Sequence, residues 1–336
     1  MLKHLNPREA ARGLLQSIVP SRPLFLPIVF SLGARIENIS LRNFLTNPTK
    51  ISNALRQIRT HLRSDGVTCY FDPYLEAEAL GGVLDWASDA RHPSLRWPQP
   101  SQDGELPEGL CAPEETPKRG RIPIAVEVIR RLKPLVRDDF LLMAGVTGPL
   151  TLAAQLAQFD PSKSRPSHSP PSSALDLAAE AIPAVTRPLV EAGANVIFIR
   201  EELLPSSADA VVDWAARLAT TINIVRFYEA LPVLLLDPQQ SAAGFESILR
   251  VPLDAVVCVP MHSNSAATGS DWRAAAHGIS LPASAFESEE SNSAPLAASL
   301  RQTIADRRPV VVTTSTDLSP TADLKHLNAI AEEVNC

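Results

Sequence analysis

Hydrophobic residues fall in short continuous runs along most of the chain, rich in the β-branched and large aliphatic side chains that favour strands. Within these runs, apolar side chains occupy both odd and even positions. Strands of a parallel sheet covered by helices require this pattern, because both of their faces are buried. We predict strands at 25–30, 67–72, 139–145, 195–200, 232–237, 254–259, 279–283 and 309–315.

Segments with helical spacing separate the apolar runs. We predict helices at 48–64, 122–136, 149–158, 174–192, 207–229, 240–249, 294–306 and 321–334. Repeated strand–helix units predict an α/β fold, a (β/α)8 TIM barrel that forms a single domain over residues 1–336. An open doubly wound sheet is the alternative, but the Gly-rich first turn of that fold is missing.

Two segments show no periodicity and lie outside the predicted barrel elements. Residues 92–120 are rich in Pro, Glu and Gly, and residues 160–172 are a Pro/Ser stretch of low complexity. Both are predicted to be irregular surface loops.

Composition narrows the function classes. The 336 residues are 45% hydrophobic and carry a net charge of −6 without a Lys/Arg stripe, which argues against a nucleic-acid partner. No apolar run approaches the roughly 18 residues of a membrane helix, and the N-terminus lacks a signal-peptide core. The four cysteines are widely spaced, as in a reduced protein. A soluble cytoplasmic protein without a membrane partner is expected.

A barrel places its chemistry on the loops that follow the C-terminal ends of the strands. This rule selects the candidate segments from the strand pattern alone. They are residues 31–35, 72–74, 147–149 and 200–202, Asp237, His262 and residues 315–317.

At these positions the chain resembles the uroporphyrinogen decarboxylase superfamily. The similar segments are residues 29–51, 66–82, 120–132, 145–156, 191–199 and 313–327. They follow the family's order along nearly the whole chain. The resemblance implies a TIM barrel and one of two chemistries, decarboxylation of a tetrapyrrole or zinc-dependent methyl transfer between corrinoid proteins and thiols such as coenzyme M.

The zinc ligands of the methyltransferase branch are absent from this sequence. That branch uses a His-x-Cys pair after the fifth strand and a cysteine after the eighth, where this chain has Leu236, Pro238 and Thr316. Zinc needs thiolate, imidazole or carboxylate donors, which these three side chains do not supply. We therefore expect neither a metal nor another cofactor.

The pattern of the decarboxylase branch is kept in part. Arg35 and Asp72 match an arginine and the aspartate with which that branch binds its substrate. Ser31, Gln155 and Thr316 stand where it has a second arginine, a tyrosine and a histidine. The resemblance therefore implies reduced or altered activity.

Each candidate residue also has a structural interpretation. The resemblance implies that Asp72 is a catalytic carboxylate. Because Asp72 precedes Pro73, it can also be a helix N-cap with Pro at N1. Arg35 can bind a substrate carboxylate bidentately or pair with Glu37. Tyr74 follows Asp72 by two residues and is predicted, like Arg35, to bind the substrate.

The remaining candidates follow later strands. Arg200, Glu201 and Glu202 bind substrate or form a local ion-pair cluster, and a glutamate facing the cavity would have a raised pKa. Asp237 is a base, a ligand or a turn residue. His262 is either the histidine best placed for proton transfer or a non-catalytic histidine in a Ser/Asn-rich loop. The turn in GVTGPL (145–150) offers N–H groups to an anion or serves only as a tight turn.

Three functions remain open. The first is a divergent, cofactor-free decarboxylase that acts on a small anionic, polycarboxylated substrate, with a tetrapyrrole as the candidate. The second is a zinc-independent methyltransferase that acts on a corrinoid protein or a methylated compound. The third is a binder that has lost catalysis. The resemblance to the decarboxylases also suggests a homodimer.

Overall fold

The computed structural model describes residues 6–88, 92–98, 106–136, 140–158, 170–205, 207–236, 248–249, 251–261, 277–287 and 293–335. Most of the predicted helix at 240–249 and of the predicted loop at 160–172 lies outside these residues, as do Asp237, Pro238 and His262.

An eight-stranded, all-parallel sheet forms the barrel. The chain contributes β1 (Leu24–Phe25), β2 (Gly66–Tyr70), β3 (Val83–Asp85), β4 (Ser94–Arg96), β5 (Leu141–Thr147), β6 (Val196–Glu201), β7 (Leu231–Leu236), β8 (Val256–Pro260), β9 (His277–Leu281) and β10 (Val311–Thr314). The order in the sheet is β1-β10-β9-β8-β7-β6-β5-β2, while β3 and β4 form a separate antiparallel hairpin. The structure confirms the predicted single-domain TIM barrel.

Side-chain and backbone hydrogen bonds join the segments of β1 and β2, which do not pair as strands. The backbone N–H of Asp65 donates to the Phe25 carbonyl at 2.9 Å, and the Asp65 carboxylate accepts the Phe25 N–H at 2.8 Å. Arg22 holds the same carboxylate with two bonds of 2.7 Å. Beyond Asp65, Thr68 Oγ1 donates to the Pro27 carbonyl at 3.4 Å. These hydrogen bonds nearly close the barrel. They satisfy backbone groups that have no partner strand at this position.

Helices occupy most of the predicted connections. They are α1 (Pro7–Leu15), α2 (Leu32–Ile36), α3 (Leu41–Leu45), α4 (Pro48–His61), α5 (Leu75–Leu80), α6 (Ile122–Leu132), α7 (Pro149–Leu156), α8 (Ser172–Ala192), α9 (Ala208–Phe227), α10 (Ser293–Arg307) and α11 (Leu324–Asn335). In the part of the chain described, no helix is long and apolar enough to cross a membrane.

Local signals fix several helix starts. Asn47 accepts backbone N–H bonds from Thr49 and Lys50, with Pro48 in the first turn of α4. Ser207 accepts the Ala210 N–H at the start of α9. Such caps satisfy orphan donors of the first turn, so these boundaries depend on adjacent residues alone.

The predicted loop at 92–120 is only partly irregular. Strand β4 lies within it and pairs with β3, and Pro113–Lys118 form a 3-10 helix. The hairpin was missed because its two strands have three residues each and are only partly buried, so that they show no long apolar run. It matters for the site, since the chain between its strands carries His92.

Candidate functional site

The C-terminal ends of β1, β2 and β10 bring several titratable side chains together. A buried ion pair between Asp72 and Arg121 lies at the centre of this group. The carboxylate of Asp72 bonds Nη1 and Nη2 of Arg121 at 2.6 and 2.9 Å, and the two residues are 4% and 3% exposed. Arg121 Nε also donates to Glu78 Oε2 at 2.7 Å. The Arg121 guanidinium therefore binds the Asp72 carboxylate through two hydrogen bonds and the Glu78 carboxylate through one.

Asp72 is not the N-cap of α5, which corrects the structural interpretation of this residue. The N-cap is Tyr74, which makes no side-chain capping bond. Asp72 Oδ1 instead accepts the Tyr74 N–H at 2.9 Å, in a turn that precedes the helix. With Arg121, this turn fixes Asp72 at the end of β2.

Arg35 does not join the Asp72 cluster. It is exposed at the end of α2, and its Nη2 donates to the Ala322 carbonyl at 2.8 Å. The predicted alternative partner, Glu37, pairs instead with Lys50 at 3.0 Å. The two residues that match the decarboxylase pattern thus have different partners.

Arg121 was missed by the sequence reasoning, which considered only strand ends. It lies at the N-cap of α6, in the similar segment 120–132. Its near-complete burial was not visible in the sequence, because Arg is usually exposed. The sequence offered one signal for Arg121. It directly follows Gly120, within a segment that resembles a known family.

A second cluster joins Ser31, Asp317 and His92. Ser31 Oγ donates to Asp317 Oδ2 at 2.5 Å and lies 3.1 Å from His92 Nε2. The backbone N–H groups of Phe30 and Ser31 also donate to Asp317, at 2.8 and 3.0 Å. Burial raises the pKa of Asp317 to about 7, opposed by these bonds and reinforced by the charge of Asp72. His92 is exposed as a residue, yet desolvation of its imidazole lowers its pKa.

Glu76 is a fully buried carboxyl group on α5. Its Oε2 accepts a 2.7 Å bond from Thr147 Oγ1, at the end of β5. Its Oε1 has no hydrogen-bond partner among the residues that the structure describes. Burial raises the pKa of Glu76 to about 7, against the smaller opposing effect of the Thr147 bond. A buried carboxyl group with one unbonded oxygen favours its protonated form more than an exposed one does.

Glu201 caps a helix inside the protein. It is 0% exposed, and its oxygens accept the N–H groups of Leu150 and Thr151, the Thr151 hydroxyl and Trp214 Nε1 at 2.6 to 3.1 Å. Burial raises the pKa of Glu201 to about 7, while these bonds lower it. The anion held by the turn at residues 145–150 is thus the Glu201 carboxylate, whose approach requires a glycine at position 148.

Arg200, Glu202 and Tyr74 lie together at the mouth beside β6. Arg200 and Glu202 form an ion pair, as the cluster interpretation predicted, and the Glu202 N–H donates to Thr151 Oγ1 at 2.7 Å. Partial burial raises the pKa of Tyr74, the charges of Glu202 and Asp72 act in the same direction, and Arg200 opposes them. Tyr74 therefore connects the Asp72 cluster with this ion pair.

The described positions of the family's zinc locus carry no zinc donor. Leu236 is 0% exposed at the end of β7, and Thr316 lies after β10 with its carbonyl bonded to Thr314 Oγ1 at 2.8 Å. Within the described ranges, no three His, Cys, Asp or Glu side chains are grouped to hold a metal. The donor chemistry of Leu and neutral Thr does not fit zinc.

Comparison with protein families gives a match over much of the chain. The family model described as uroporphyrinogen decarboxylase (URO-D) matches residues 20–218, more than half of the chain.

Curated relatives include two methylcobamide:CoM methyltransferases, both named MtaA, from Methanosarcina barkeri. The relative from strain Fusaro is 33% identical over 130 residues, which cover 37% of this chain and 36% of the relative. The other is 32% identical over the same length and with the same coverage. The match thus spans about a third of these relatives.

Solved structures share the fold. A methyltransferase from Methanosarcina mazei superposes with a TM-score of 0.73 at 18% identity and 98% coverage of both chains. A B12-independent methionine synthase from Shewanella sp. W3-18-1 gives a TM-score of 0.53 at 14% identity, with coverage of 85% and 87%. At these identities the likeness shows the barrel alone.

Proposed function

Because the chain belongs to the uroporphyrinogen decarboxylase family, we propose that it is an enzyme of the methyltransferase type. It transfers a methyl group from a methylated cobamide, presented by a corrinoid protein, to a small acceptor at the mouth of the barrel. The observation that carries the proposal is the identity of 33% with a methylcobamide:CoM methyltransferase over 130 residues. The second of the three functions open from sequence is therefore favoured over the first.

The geometry of Asp72 supports this choice. In the decarboxylases that this chain resembles, the aspartate holds the pyrrole N–H groups of the substrate. Asp72 already accepts three bonds, two from Arg121 and one from the Tyr74 N–H. Separating a buried ion pair costs about 3–5 kcal/mol. The substrate of a decarboxylase would have to offset that cost before it could bind.

Arg35 points to the same conclusion. It is exposed and bonded to the Ala322 carbonyl. Both residues that match the decarboxylase pattern are therefore already hydrogen-bonded within the chain. Decarboxylation of a polycarboxylated substrate is the second candidate, supported by the matching residue types at positions 35 and 72.

Acceptor activation in this proposal does not use a zinc thiolate. When the acceptor X–H attacks the methyl carbon, a new X–CH3 bond forms, the electron pair of the broken Co–C bond stays on cobalt, and the proton of X–H must leave. Asp317, which is half-buried, and Glu76, which is fully buried, are carboxyl groups near the ends of β10 and β2, and desolvation raises the pKa of each to about 7. Groups with such pKa values suit proton transfer at neutral pH.

The test is a two-arm assay of the purified protein. In the first arm, methylcobalamin and a thiol such as coenzyme M are supplied, and demethylation is followed by absorbance. In the second arm, CO2 release from uroporphyrinogen is measured. Demethylation that depends on the thiol supports the proposal, whereas CO2 release without demethylation would support the decarboxylase. Activity in neither arm, together with binding of methylcobalamin by calorimetry, would indicate a binder without catalysis.

Metal analysis of the same preparation is the control. The proposal expects substoichiometric zinc and a rate that a chelator does not change. One zinc per chain, with loss of activity on chelation, would contradict the zinc-independent mechanism.

A further inference from the structure

A hydrogen-bond chain leads from the surface of the barrel mouth into the protein. It begins at His92, which the β3–β4 hairpin region supplies and which is exposed. It continues through Ser31 Oγ, 3.1 Å from His92 Nε2, and ends at Asp317 Oδ2, 2.5 Å from the hydroxyl. Ser31 itself is 0% exposed. Residues from three separate parts of the sequence thus form one series of hydrogen bonds.

The direction of each bond follows from the groups involved. The Asp317 carboxylate can only accept, and it takes the N–H of Phe30, the N–H of Ser31 and the Ser31 hydroxyl. The Ser31 hydroxyl has a single proton, which points at Asp317. The contact with His92 therefore has Nε2–H as the donor and Ser31 Oγ as the acceptor. The proton order is imidazole to hydroxyl to carboxylate.

This arrangement differs from that of a serine hydrolase. There the histidine lies between serine and aspartate, so that it removes the serine proton and the serine attacks. Here Ser31 lies in the middle and is buried, so it cannot reach a substrate as a nucleophile. A hydroxyl that accepts from one side and donates to the other passes a proton along.

The neighbouring charges are those of the central ion pair. Asp72 and Arg121 act on His92, and Asp72 also acts on Asp317. The negative charge of Asp72 disfavours a second negative charge nearby and so raises the proton affinity of the Asp317 carboxylate. The inner end of the chain is therefore suited to receive a proton.

We propose that His92, Ser31 and Asp317 form a proton relay that removes the proton of the methyl acceptor. The acceptor proton is bound by His92 Nδ1, the Nε2 proton moves to Ser31 Oγ, and the Ser31 proton moves to Asp317 Oδ2. His92 gains a proton at Nδ1 and loses one from Nε2, and Ser31 Oγ gains one and loses one. The net change is a neutral Asp317, the other neutral tautomer of His92 and a deprotonated acceptor. The direction of transfer rests on the proposed methyltransferase function, whereas the relay itself rests on the hydrogen bonds.

The alternative is a structural role in which Asp317 only fixes the backbone at Phe30 and Ser31. The two roles differ for His92, because it reaches Asp317 only through the Ser31 hydroxyl and so contributes little to that backbone contact. The variants His92→Ala and Ser31→Ala separate them. Ser52→Ala is the matched control, since Ser52 is also buried, and its hydroxyl bonds only to the Pro48 carbonyl in α4.

The activity experiment measures thiol-dependent demethylation of methylcobalamin. His92→Ala and Ser31→Ala are each expected to lower kcat roughly 100-fold, the lower bound for a positioned proton-transfer group, with KM changed less than about twofold. The double variant should be no slower than either single variant, because both break the same relay. Ser52→Ala should retain the wild-type kcat. Wild-type kcat in His92→Ala would overturn the relay while leaving the methyltransferase function intact.

A second experiment does not depend on turnover. Imidazole 15N–1H spectra follow the titration of His92, whose signal is identified by its absence in His92→Ala. Ser31→Ala should lower the titration midpoint of His92 by at least about 0.5 pH unit, because it removes the oxygen that accepts the Nε2–H bond and so stabilises the imidazolium. Ser52→Ala should leave it unchanged. An unchanged midpoint in Ser31→Ala would overturn the relay. If the midpoint shifts but the wild type transfers no methyl group, the relay stands and the proposed function fails.

Discussion

Glu76→Gln is expected to stabilise the protein at alkaline pH and to have little effect at acidic pH. Glu76 is 0% exposed, accepts one bond from Thr147, and has one oxygen without a partner among the described residues. Glutamine has the shape and charge of the protonated acid. It can keep the contact with the Thr147 hydroxyl, so the variant mimics the protonated form of Glu76 at every pH.

The magnitude follows from the raised pKa. The pKa of Glu76 rises from the model-peptide value of 4.5 to about 7 in the folded protein. Below the unfolded-state pKa, Glu76 is protonated in both the folded and the unfolded protein, so its shifted pKa does not change the free energy of unfolding. As pH rises, the unfolded chain releases its proton first, so unfolding becomes more favourable until the folded group also ionises. Between about pH 5 and about pH 8.5 this linkage costs the wild type about 2.5 kcal/mol, which the variant avoids.

The assay is urea unfolding of the wild type and Glu76→Gln at these two pH values, followed by tryptophan fluorescence. Glu180→Gln provides the control, because Glu180 is exposed on α8 and the substitution removes the same charge. The free energy of unfolding of Glu76→Gln relative to wild type should rise by about 2–3 kcal/mol from the lower to the higher pH. A relative stability that is independent of pH, or that falls at alkaline pH, would refute the reasoning.

Three further predictions concern the buried polar groups and are measured by urea unfolding. Gly148→Ala should destabilise the fold by about 1–3 kcal/mol, because its Cβ would lie 2.3 Å from Glu201 Cδ; an unchanged stability would contradict this contact. Trp214→Phe removes the 2.7 Å bond to Glu201 and should cost about 1.5–3 kcal/mol, and a loss below about 0.5 kcal/mol would argue against it. Arg121→Leu should cost about 3–5 kcal/mol, and adding Asp72→Asn should restore part of it; additive losses would show that the two residues are not coupled.

The sequence by itself determined the barrel. All residues of β5 and β7 are buried, as their uninterrupted apolar runs predicted. The starts of α4 and α7, at Pro48 and Pro149, follow from adjacent capping and proline signals. These features depend on residues close together in the chain, and the strand and helix periods therefore suffice to find them.

Only the tertiary structure decided which side chains meet. Asp72 was singled out from its position after β2, but its partner Arg121 is 49 residues away on another connection. Glu201 was expected at the mouth and is instead enclosed by the turn before α7. The relay residue His92 lies in a segment predicted to be an irregular loop. A local sequence pattern predicts the strand end at which a residue lies. Its hydrogen-bond partners depend on how distant loops pack over the barrel, and this packing leaves no periodic signal in the sequence.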